Sequence, residues 1–294
     1  MALRYDPIIF DMDGTLLNTL DDLADSVNYA LEIHGFPKRE KNHVREAIGN
    51  GVGKLIECCM PEVFSENEYR AVLSTFKEYY GEHSNDKTHV FDGMLEMIKK
   101  LKEQGATVAI VSNKINSAVQ ELAEIYFPGL IDCVTGEREG VRRKPEPDVI
   151  FATLEQLDKS PKKAVYIGDT EVDIQTAKNA GIKGISITWG FRDPEVLAIN
   201  EADEIVMSVE QLYEMLTENF ARTFFRLYDR MLAAGLITFA ETGMKRDDFT
   251  RLCIDDSYSL PYAEIERICK NMKLGYVDTQ KLLSLAAHEE DEEN

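Results

Sequence analysis

The stretch FDMDGTLLNT, from Phe10 to Thr19, decides the fold because it joins a buried strand to two acidic residues. The apolar run at 7–10 is typical of a strand covered by helices on both faces. Asp11 and Asp13 follow it directly, and ligands of open α/β sheets bind beyond the carboxyl ends of the strands. Taken alone, the stretch is also typical of a strand-to-loop turn, in which Asp and Gly form local hydrogen bonds. The residues at the ends of the other predicted strands therefore decide whether this stretch is a ligand site or an ordinary turn.

Apolar runs and helical patterns alternate through much of the chain. Short runs rich in Val and Ile predict further strands at 106–111, 131–134, 164–167 and 182–187. The segments between them have helical periodicity and predict helices at 93–103, 115–125, 147–157 and 171–180. Repeated strand–helix–strand units predict an α/β fold with a doubly wound parallel sheet, which is a Rossmann-like core.

Two helical regions depart from this alternation. From the end of the first strand to about residue 90 the pattern predicts helices and no strand, and the C-terminal part contains at least three amphipathic helical patterns. The acidic residues at the very end predict a disordered tail. The C-terminal helices are expected either to pack against the core or to form an interface in a homo-oligomer. We therefore expect a core at 1–17 and 86–217, a helical insert at 18–85, which we call the cap, and a C-terminal helical extension at 218–294.

Composition argues against several classes of partner and site. With a net charge of −20 at pH 7, the chain is expected to repel nucleic acid and anionic membrane surfaces. No apolar run has the length of a membrane span. The five cysteines include no CxxC pair, so we expect reduced thiols in a cytoplasmic protein. The five histidines have no metal-binding spacing, which argues against a zinc site.

Polar residues also follow two other predicted strands. One strand ends in Ser112 and Asn113, another ends before Asp169 with Asp173 one helical turn later, and Lys144 precedes a helix. Each has an ordinary explanation alone: the serine caps a helix, the lysine is solvated, and the aspartates are acids at a helix N-terminus. If the strands are parallel, however, all of these groups meet at one edge of the sheet. Carboxylates, a hydroxyl and an ammonium in one place predict a magnesium-assisted phosphate site.

In these residues the sequence resembles the haloacid dehalogenase superfamily of phosphotransferases. The resemblance covers about residues 5–216 and includes the four motifs of the superfamily in order: DMDGT at 11–15, SN at 112–113, KPEP at 144–147 and GDTEVD at 168–173. Within the superfamily, the sequence is similar to phosphoglycolate phosphatases in DDLADSVNYAL at 21–31 and IGNGV at 48–52. The resemblance implies that the insert is a small helical cap.

The resemblance also implies a role for each site residue. Asp11 corresponds to the nucleophile that forms an aspartyl-phosphate, which divides the hydrolysis into two steps. Asp13 corresponds to the acid that protonates the leaving oxygen and then activates water. Ser112, Asn113 and Lys144 correspond to residues that bind the phosphoryl oxygens, whose charge must be neutralised during transfer.

Mg²⁺ is the cofactor that the resemblance implies. Its ligands would be Asp11, the backbone carbonyl of Asp13, and Asp169. Asp173 would be a ligand through water or an anchor for its neighbours. Because a carboxylate must approach a phosphate dianion, the reaction needs cations beside it.

The cap and a basic loop supply the remaining candidate residues. Three glycines in the loop AIGNGVG at 47–53 let its backbone approach a ligand, so we expect substrate contacts at Asn50 and Gly51. An ordinary interhelical connector is the alternative for this loop. We hypothesise that Arg142 or Arg143 draws anionic substrates toward the site, with a solvated basic loop as the alternative.

Together these features predict a magnesium-dependent phosphatase that hydrolyses a small phosphorylated metabolite, 2-phosphoglycolate before others. A pyrophosphatase, a sugar-phosphate mutase or a phosphatase for another small ester would share the motifs. A regulatory or interaction protein on the same fold is the non-enzymatic alternative, and the intact set of motifs argues against it. Asp13 argues against dehalogenation, because dehalogenases of the superfamily lack an acid at that position.

Overall fold

A computed structural model describes residues 2–255 and 258–286 of the chain. The described residues form two compact units, one of residues 5–213 and one that combines residues 2–4 with residues 214–286. The predicted acidic tail lies outside the described residues.

A six-stranded sheet forms the centre of the first unit, in the order β6-β5-β2-β7-β8-β9 with every pairing parallel. This confirms the predicted doubly wound α/β fold. The sequence pattern missed β9, because an edge strand of two residues is too short to show an apolar run. Within the described residues the strands are β1 (Ala2–Leu3), β2 (Ile8–Phe10), β3 (Leu17–Asn18), β4 (His89–Val90), β5 (Val108–Ile115), β6 (Cys133–Glu137), β7 (Val165–Gly168), β8 (Lys183–Ile187), β9 (Ile205–Val206) and β10 (Thr217–Glu218).

Helices connect the strands, and several pack directly on the sheet. A 3₁₀ turn, Pro161–Lys163, precedes β7. The α-helices of the described residues are α1 (Leu20–Ile33), α2 (Lys41–Ala47), α3 (Gly51–Cys59), α4 (Glu66–His83), α5 (Met94–Glu103), α6 (Asn116–Tyr126), α7 (Asp148–Gln156), α8 (Glu171–Ala180), α9 (Pro194–Ile199), α10 (Val209–Leu216), α11 (Phe220–Ala233), α12 (Phe239–Thr242), α13 (Arg246–Ile254), α14 (Tyr262–Asn271) and α15 (Tyr276–Ser284).

The central strand β2 shows why the sheet is parallel and buried. Its three residues are fully buried, as expected for a strand with helices on both faces. Ile8 lies opposite Val108 of β5 on one side and Val165 of β7 on the other. The strand therefore ends between two others, and Asp11 follows it at the edge where ligands of such sheets bind.

Helices α1 to α4 belong to the cap, and the two segments that lead into and out of them pair as strands. Leu17 of β3 lies opposite Val90 of β4 in an antiparallel pair. The prediction that no strand lies in this region is therefore wrong, because each strand has two residues and no periodicity can reveal it. The cap has its own hydrophobic core, on which Phe191, from the loop after β8, also packs.

The second unit is also built around a hydrophobic core. In it β1 pairs antiparallel with β10, and α11 to α15 follow β10 in the chain. Phe224, Leu227 and Ile265 are among its core residues, each at most 3% exposed. Among the described residues of the whole chain, no helix is both long and apolar enough to cross a membrane.

Candidate active site

The carboxyl ends of β2, β5 and β7 bring together the residues that the sequence pattern selected. Asp11, Ser112 and Asp169 are all buried at this edge of the sheet. Asp11 and Ser112 line a cavity with an empty volume of about 520 Å³, part of which is open to solvent. From the core the cavity is lined by Asp11, Asp13, Ser112, Asn113, Lys114, Lys144 and Thr170, and from the cap by Leu23, Ile48, Gly49, Gly51, Val52, Leu55 and Tyr80.

Lys144 lies between two carboxylates and is 3% exposed, so its explanation as a solvated lysine is wrong. Its Nζ lies 2.8 Å from Asp11 Oδ1 and donates hydrogen bonds to Asp173 Oδ1 at 2.8 Å and to the Tyr166 hydroxyl at 2.9 Å. Burial alone would lower the pKa of Lys144, but Asp11 and Asp173 outweigh it and raise the pKa. The side chain is therefore a permanent cation beside Asp11.

Asp173 holds this cation in place. Oδ1 accepts hydrogen bonds from Lys144 and from the Tyr166 hydroxyl, and Oδ2 accepts bonds from the backbone N–H and the hydroxyl of Thr170 at 3.0 and 2.7 Å. The Thr170 contacts form the capping box of α8, so the start of a helix fixes the carboxylate. A carboxylate has about four acceptor positions, and four donors face those of Asp173. Burial alone would raise the pKa of Asp173, but Lys144 and the other donors lower it.

Asp11, Asp169 and Asp173 form a buried group of three carboxylates. One oxygen of each lies within 4.8 Å of the other two. Asp169 Oδ1 accepts a hydrogen bond from the Thr15 hydroxyl at 2.9 Å, and Oδ2 accepts one from the Phe191 N–H at 2.7 Å. Asp11 Oδ1 accepts none, because the nearby Lys144 Nζ is within ion-pair distance but not in hydrogen-bonding geometry.

This group suits a magnesium ion. Burial raises the pKa of Asp11 to about 7 although Lys144 opposes the shift, and burial together with Asp173 and Asp11 raises the pKa of Asp169. Both shifts mean that negative charge at the site is poorly compensated by protein groups alone. Magnesium takes oxygen ligands, and Asp11 Oδ1 is a buried oxygen without a hydrogen bond.

Two glycines make room for the carboxylate of Asp169. A Cβ on Gly14, which has φ of +85°, would lie 2.4 Å from Asp169 Oδ2. A Cβ on Gly190 would lie 2.4 Å from Asp169 Cβ and Oδ2, and 2.5 Å from the carbonyl oxygen of Gly14. The DxDG turn and the loop after β8 therefore enclose the carboxylate without side chains of their own.

Lys114 is a site residue that the sequence reasoning missed. Its Nζ donates hydrogen bonds to Asp13 Oδ1 and Oδ2 at 3.0 and 3.3 Å and to the Tyr80 hydroxyl at 2.5 Å. Burial alone would lower the pKa of Lys114, but Asp13 and Tyr80 outweigh it and raise the pKa. The available signal was a lysine directly after the Ser112–Asn113 motif, whereas nothing in the helical pattern of α4 distinguishes Tyr80 from a core aromatic residue.

The cap loop contributes backbone rather than polar side chains to the cavity. Gly49 and Gly51 line the cavity, and Asn50 is not among the lining residues. The side chain of Asn113 links this loop to the core, since its Nδ2 donates to the carbonyl oxygens of Gly49 and Lys144, both at 3.1 Å. Its Oδ1 accepts the Lys144 N–H at 2.9 Å. The nitrogen and the oxygen of the Asn113 amide thus both form hydrogen bonds with protein backbone.

Arg192 holds the same loop from the core side. Its guanidinium donates to the carbonyl oxygen of Ile48 at 2.8 Å and to that of Arg45 at 3.1 Å, and it pairs with Glu171 at 2.6 Å. The side chain of Arg45 in turn pairs with Asp193 at 3.0 Å. The end of α2 is therefore fixed against the loop that follows β8.

The two arginines of the basic loop lie in different surroundings. Arg142 pairs with Glu146 and Asp148 at the surface. Arg143 reaches the cap loop, with Nη1 3.1 Å from the position of a Cβ on Gly51. Their effect on substrate attraction stays a prediction.

Comparisons with known proteins agree with this geometry. The model of the haloacid dehalogenase-like hydrolase family matches residues 8–187. Phosphoglycolate phosphatase of Vibrio vulnificus is 30% identical over 71% of this chain and 95% of its own length. Phosphoglycolate phosphatase of Aquifex aeolicus is 32% identical over 63% of this chain and 85% of its own length.

Solved structures extend the similarity to the fold. A candidate phosphoglycolate phosphatase from Lactobacillus delbrueckii subsp. bulgaricus is 37% identical with a TM-score of 0.70, covering 74% of this chain and all of that chain. A candidate phosphoglycolate phosphatase from Haemophilus somnus is 27% identical with a TM-score of 0.67, covering 73% of this chain and 99% of that chain. The four motifs, the parallel sheet and the family match lead to one conclusion: the chain belongs to the haloacid dehalogenase-like hydrolase family.

Proposed function

We propose that this hydrolase is a magnesium-dependent phosphatase that acts on a small phosphate monoester, with 2-phosphoglycolate as its substrate. The observation that carries the proposal is one cavity in which Asp11, Asp13, Ser112 and Lys144 face the same space. A nucleophile, an acid and two groups that bind phosphoryl oxygens are the parts that phosphoryl transfer requires. The predicted cytoplasmic location stays a prediction.

In the proposed first step, Asp11 attacks the phosphorus atom while the bond to the ester oxygen breaks. Asp13 gives its proton to that oxygen, and the alcohol leaves. In the second step, water attacks the phosphorus of the aspartyl-phosphate, Asp13 takes the proton from the water, and Asp11 is released with free phosphate. Lys144 and Ser112 bind the equatorial oxygens, on which the charge is spread.

Asp11 and Asp169, with the backbone carbonyl of Asp13, are the proposed ligands of Mg²⁺. When bound, the ion neutralises charge on the phosphoryl group and the carboxylates. For Asp173 we favour the anchoring role over the predicted ligand role, because four donors already face its acceptor positions. It then acts by fixing Lys144.

The cap surface supports a substrate with few hydroxyl groups. Leu23, Ile48, Val52 and Leu55 form the aliphatic part of the cavity wall. Sugar hydroxyls placed against them would lose hydrogen bonds to water without replacement, which costs about 1–3 kcal/mol for each group. 2-Phosphoglycolate has one methylene and a carboxylate beyond the ester oxygen. The names of the curated relatives agree with this choice over a sugar-phosphate mutase.

The test is a panel of phosphate esters, pyrophosphate and hexose phosphates with purified protein, with and without Mg²⁺. We expect Mg²⁺-dependent release of phosphate, fastest from 2-phosphoglycolate, and loss of turnover in Asp11→Asn. Asp158→Asn, at an exposed position outside the cavity, is the matched control and keeps wild-type activity. Turnover by Asp11→Asn would refute the mechanism. A preference for a hexose phosphate would refute the substrate, and no hydrolysis of any ester would favour the non-enzymatic alternative.

A further inference from the structure

Besides Lys144, the cavity contains a second buried lysine, Lys114, which has no role in the proposed binding of the phosphoryl group. Among the cavity-lining residues that the structure describes, Lys114 and Lys144 are the two cations. Lys144 forms ion pairs with Asp11 and Asp173. Lys114, with 5% of its side chain exposed, contacts Asp13 instead.

The position of Lys114 relates it to the leaving group. Asp13 is the proposed acid that protonates the ester oxygen, and Lys114 Nζ lies 3.0 Å from its Oδ1. Whatever is bonded to the ester oxygen therefore lies on the side of the cavity that Lys114 occupies. The side chains of Leu23 and Leu55 on the cap wall offer no hydrogen bonds there. Among the described residues that line the cavity, Lys114 is thus the cation that remains available to the leaving group of the substrate.

Tyr80 places this ammonium under the cap. The hydroxyl of Tyr80, on α4, accepts a hydrogen bond from Lys114 Nζ, and the ammonium lies 4.7 Å from the centre of the tyrosine ring. The ring stacks on Phe76 in the cap core, with centroids 5.2 Å apart. A residue fixed in the cap thereby orients a lysine of the sheet.

We propose that Lys114, oriented by Tyr80, binds a carboxylate of the substrate that is separated from the ester oxygen by one carbon atom. An ammonium donates three hydrogen bonds. Those of Lys114 go to both oxygens of Asp13 and to Tyr80, so the carboxylate of the substrate replaces the longest of them, the contact with Asp13 Oδ2 at 3.3 Å. The inference rests on the proposed function and names the residue that selects an acidic leaving group.

The test compares 2-phosphoglycolate with its neutral amide, in which a carboxamide of the same shape replaces the carboxylate. We expect the wild-type protein to prefer the acid in kcat/KM. In Lys114→Met we expect this preference to fall by about 30-fold, as for loss of charge-assisted hydrogen bonds in a buried site. Tyr80→Phe, which keeps the ring, lowers the preference by about 5-fold. Lys77→Met, at an exposed position on α4, leaves it unchanged.

The preference is a ratio measured on one sample, so it does not depend on how much of a destabilised variant is folded. If Lys114→Met lowers both rates by the same factor, the inference is wrong and the phosphatase proposal stands. Faster hydrolysis of pyrophosphate than of 2-phosphoglycolate, lost in Lys114→Met, would overturn the assignment to a carboxylate. A wild-type protein that hydrolyses neither ester overturns the proposed function, and the inference with it.

Discussion

Replacement of Gly190 by alanine tests whether the packing around Asp169 forms the metal site. The added methyl group would lie 2.4 Å from Asp169 Cβ and Oδ2 and 2.5 Å from the carbonyl oxygen of Gly14. Ordinary contacts begin at about 3.4 Å, so one partner must move by about 1 Å. Because backbone blocks one side, rotation of a side chain cannot relieve the overlap. The backbone at Gly14, Asp169 or Gly190 must therefore shift, which displaces the carboxylate of Asp169 relative to the groups around it.

The structure sets the size of the effect. Overpacking of a buried site costs about 1–3 kcal/mol, and a shift of Asp169 also weakens its hydrogen bonds with Thr15 and the Phe191 N–H. We therefore expect Gly190→Ala to lower the free energy of unfolding by about 3 kcal/mol. Metal ligands tolerate displacements of about 0.5 Å, so we expect the affinity for Mg²⁺ to fall at least 10-fold.

Urea denaturation followed by circular dichroism measures the first effect, and calorimetric titration of metal-free protein with Mg²⁺ measures the second. Gly81→Ala is the matched control, because a Cβ at that helical position meets nothing within 4 Å. We expect it to raise the free energy of unfolding by about 0.5–1 kcal/mol and to leave the affinity for Mg²⁺ unchanged. If Gly190→Ala keeps both wild-type values, the steric argument and the placement of the metal beside Asp169 are refuted.

Two further predictions concern the charges around the site. The pKa of Asp11 is about 7 instead of the ordinary 3.8, so the folded metal-free protein retains a proton that the unfolded chain loses within this pH window. The free energy of unfolding in EDTA should therefore fall by about 2.5 kcal/mol from this group as the pH rises from about 5 to about 7.5. Mg²⁺ should restore it mainly at the higher pH. Urea titrations at each pH check this, and an equal slope in Asp11→Asn would contradict it. Arg192→Gln removes the hydrogen bond from the guanidinium to the Ile48 carbonyl, so we expect KM to rise about 10-fold. We also expect faster backbone hydrogen exchange at residues 45–51. Unchanged exchange in that segment would show that the arginine does not stabilise the cap loop.

The sequence predicted the parallel sheet because its strands are buried on both faces and read as continuous apolar runs. The prediction failed where strands are too short for a pattern. Strands β3, β4 and β9 have two residues each, and their existence depends on the pairing partner rather than on their own composition.

The candidate site was predictable where a residue lies directly after a strand. Asp11, Ser112 and Asp169 meet because parallel strands end at the same edge. Tyr80 comes instead from a cap helix, and its hydroxyl reaches Lys114 only through the packing of the cap on the core. The hydrogen bonds that Arg192 donates to backbone carbonyls also have no sequence signature, because any residue can supply such an acceptor.

The pairing of β2 has a consequence for how the chain is made. Ile8 lies between Val108 and Val165, so its two neighbours follow it by 100 and 157 residues. At synthesis rates of about 5–20 residues per second, the central strand waits roughly 8–30 seconds for its second partner. The helices of the cap have their contacts within a short stretch of chain and are complete long before then. The strand that leads into Asp11 is thus the first strand of this sheet to be made, and it waits through more of the chain than any other strand of the sheet for its second partner.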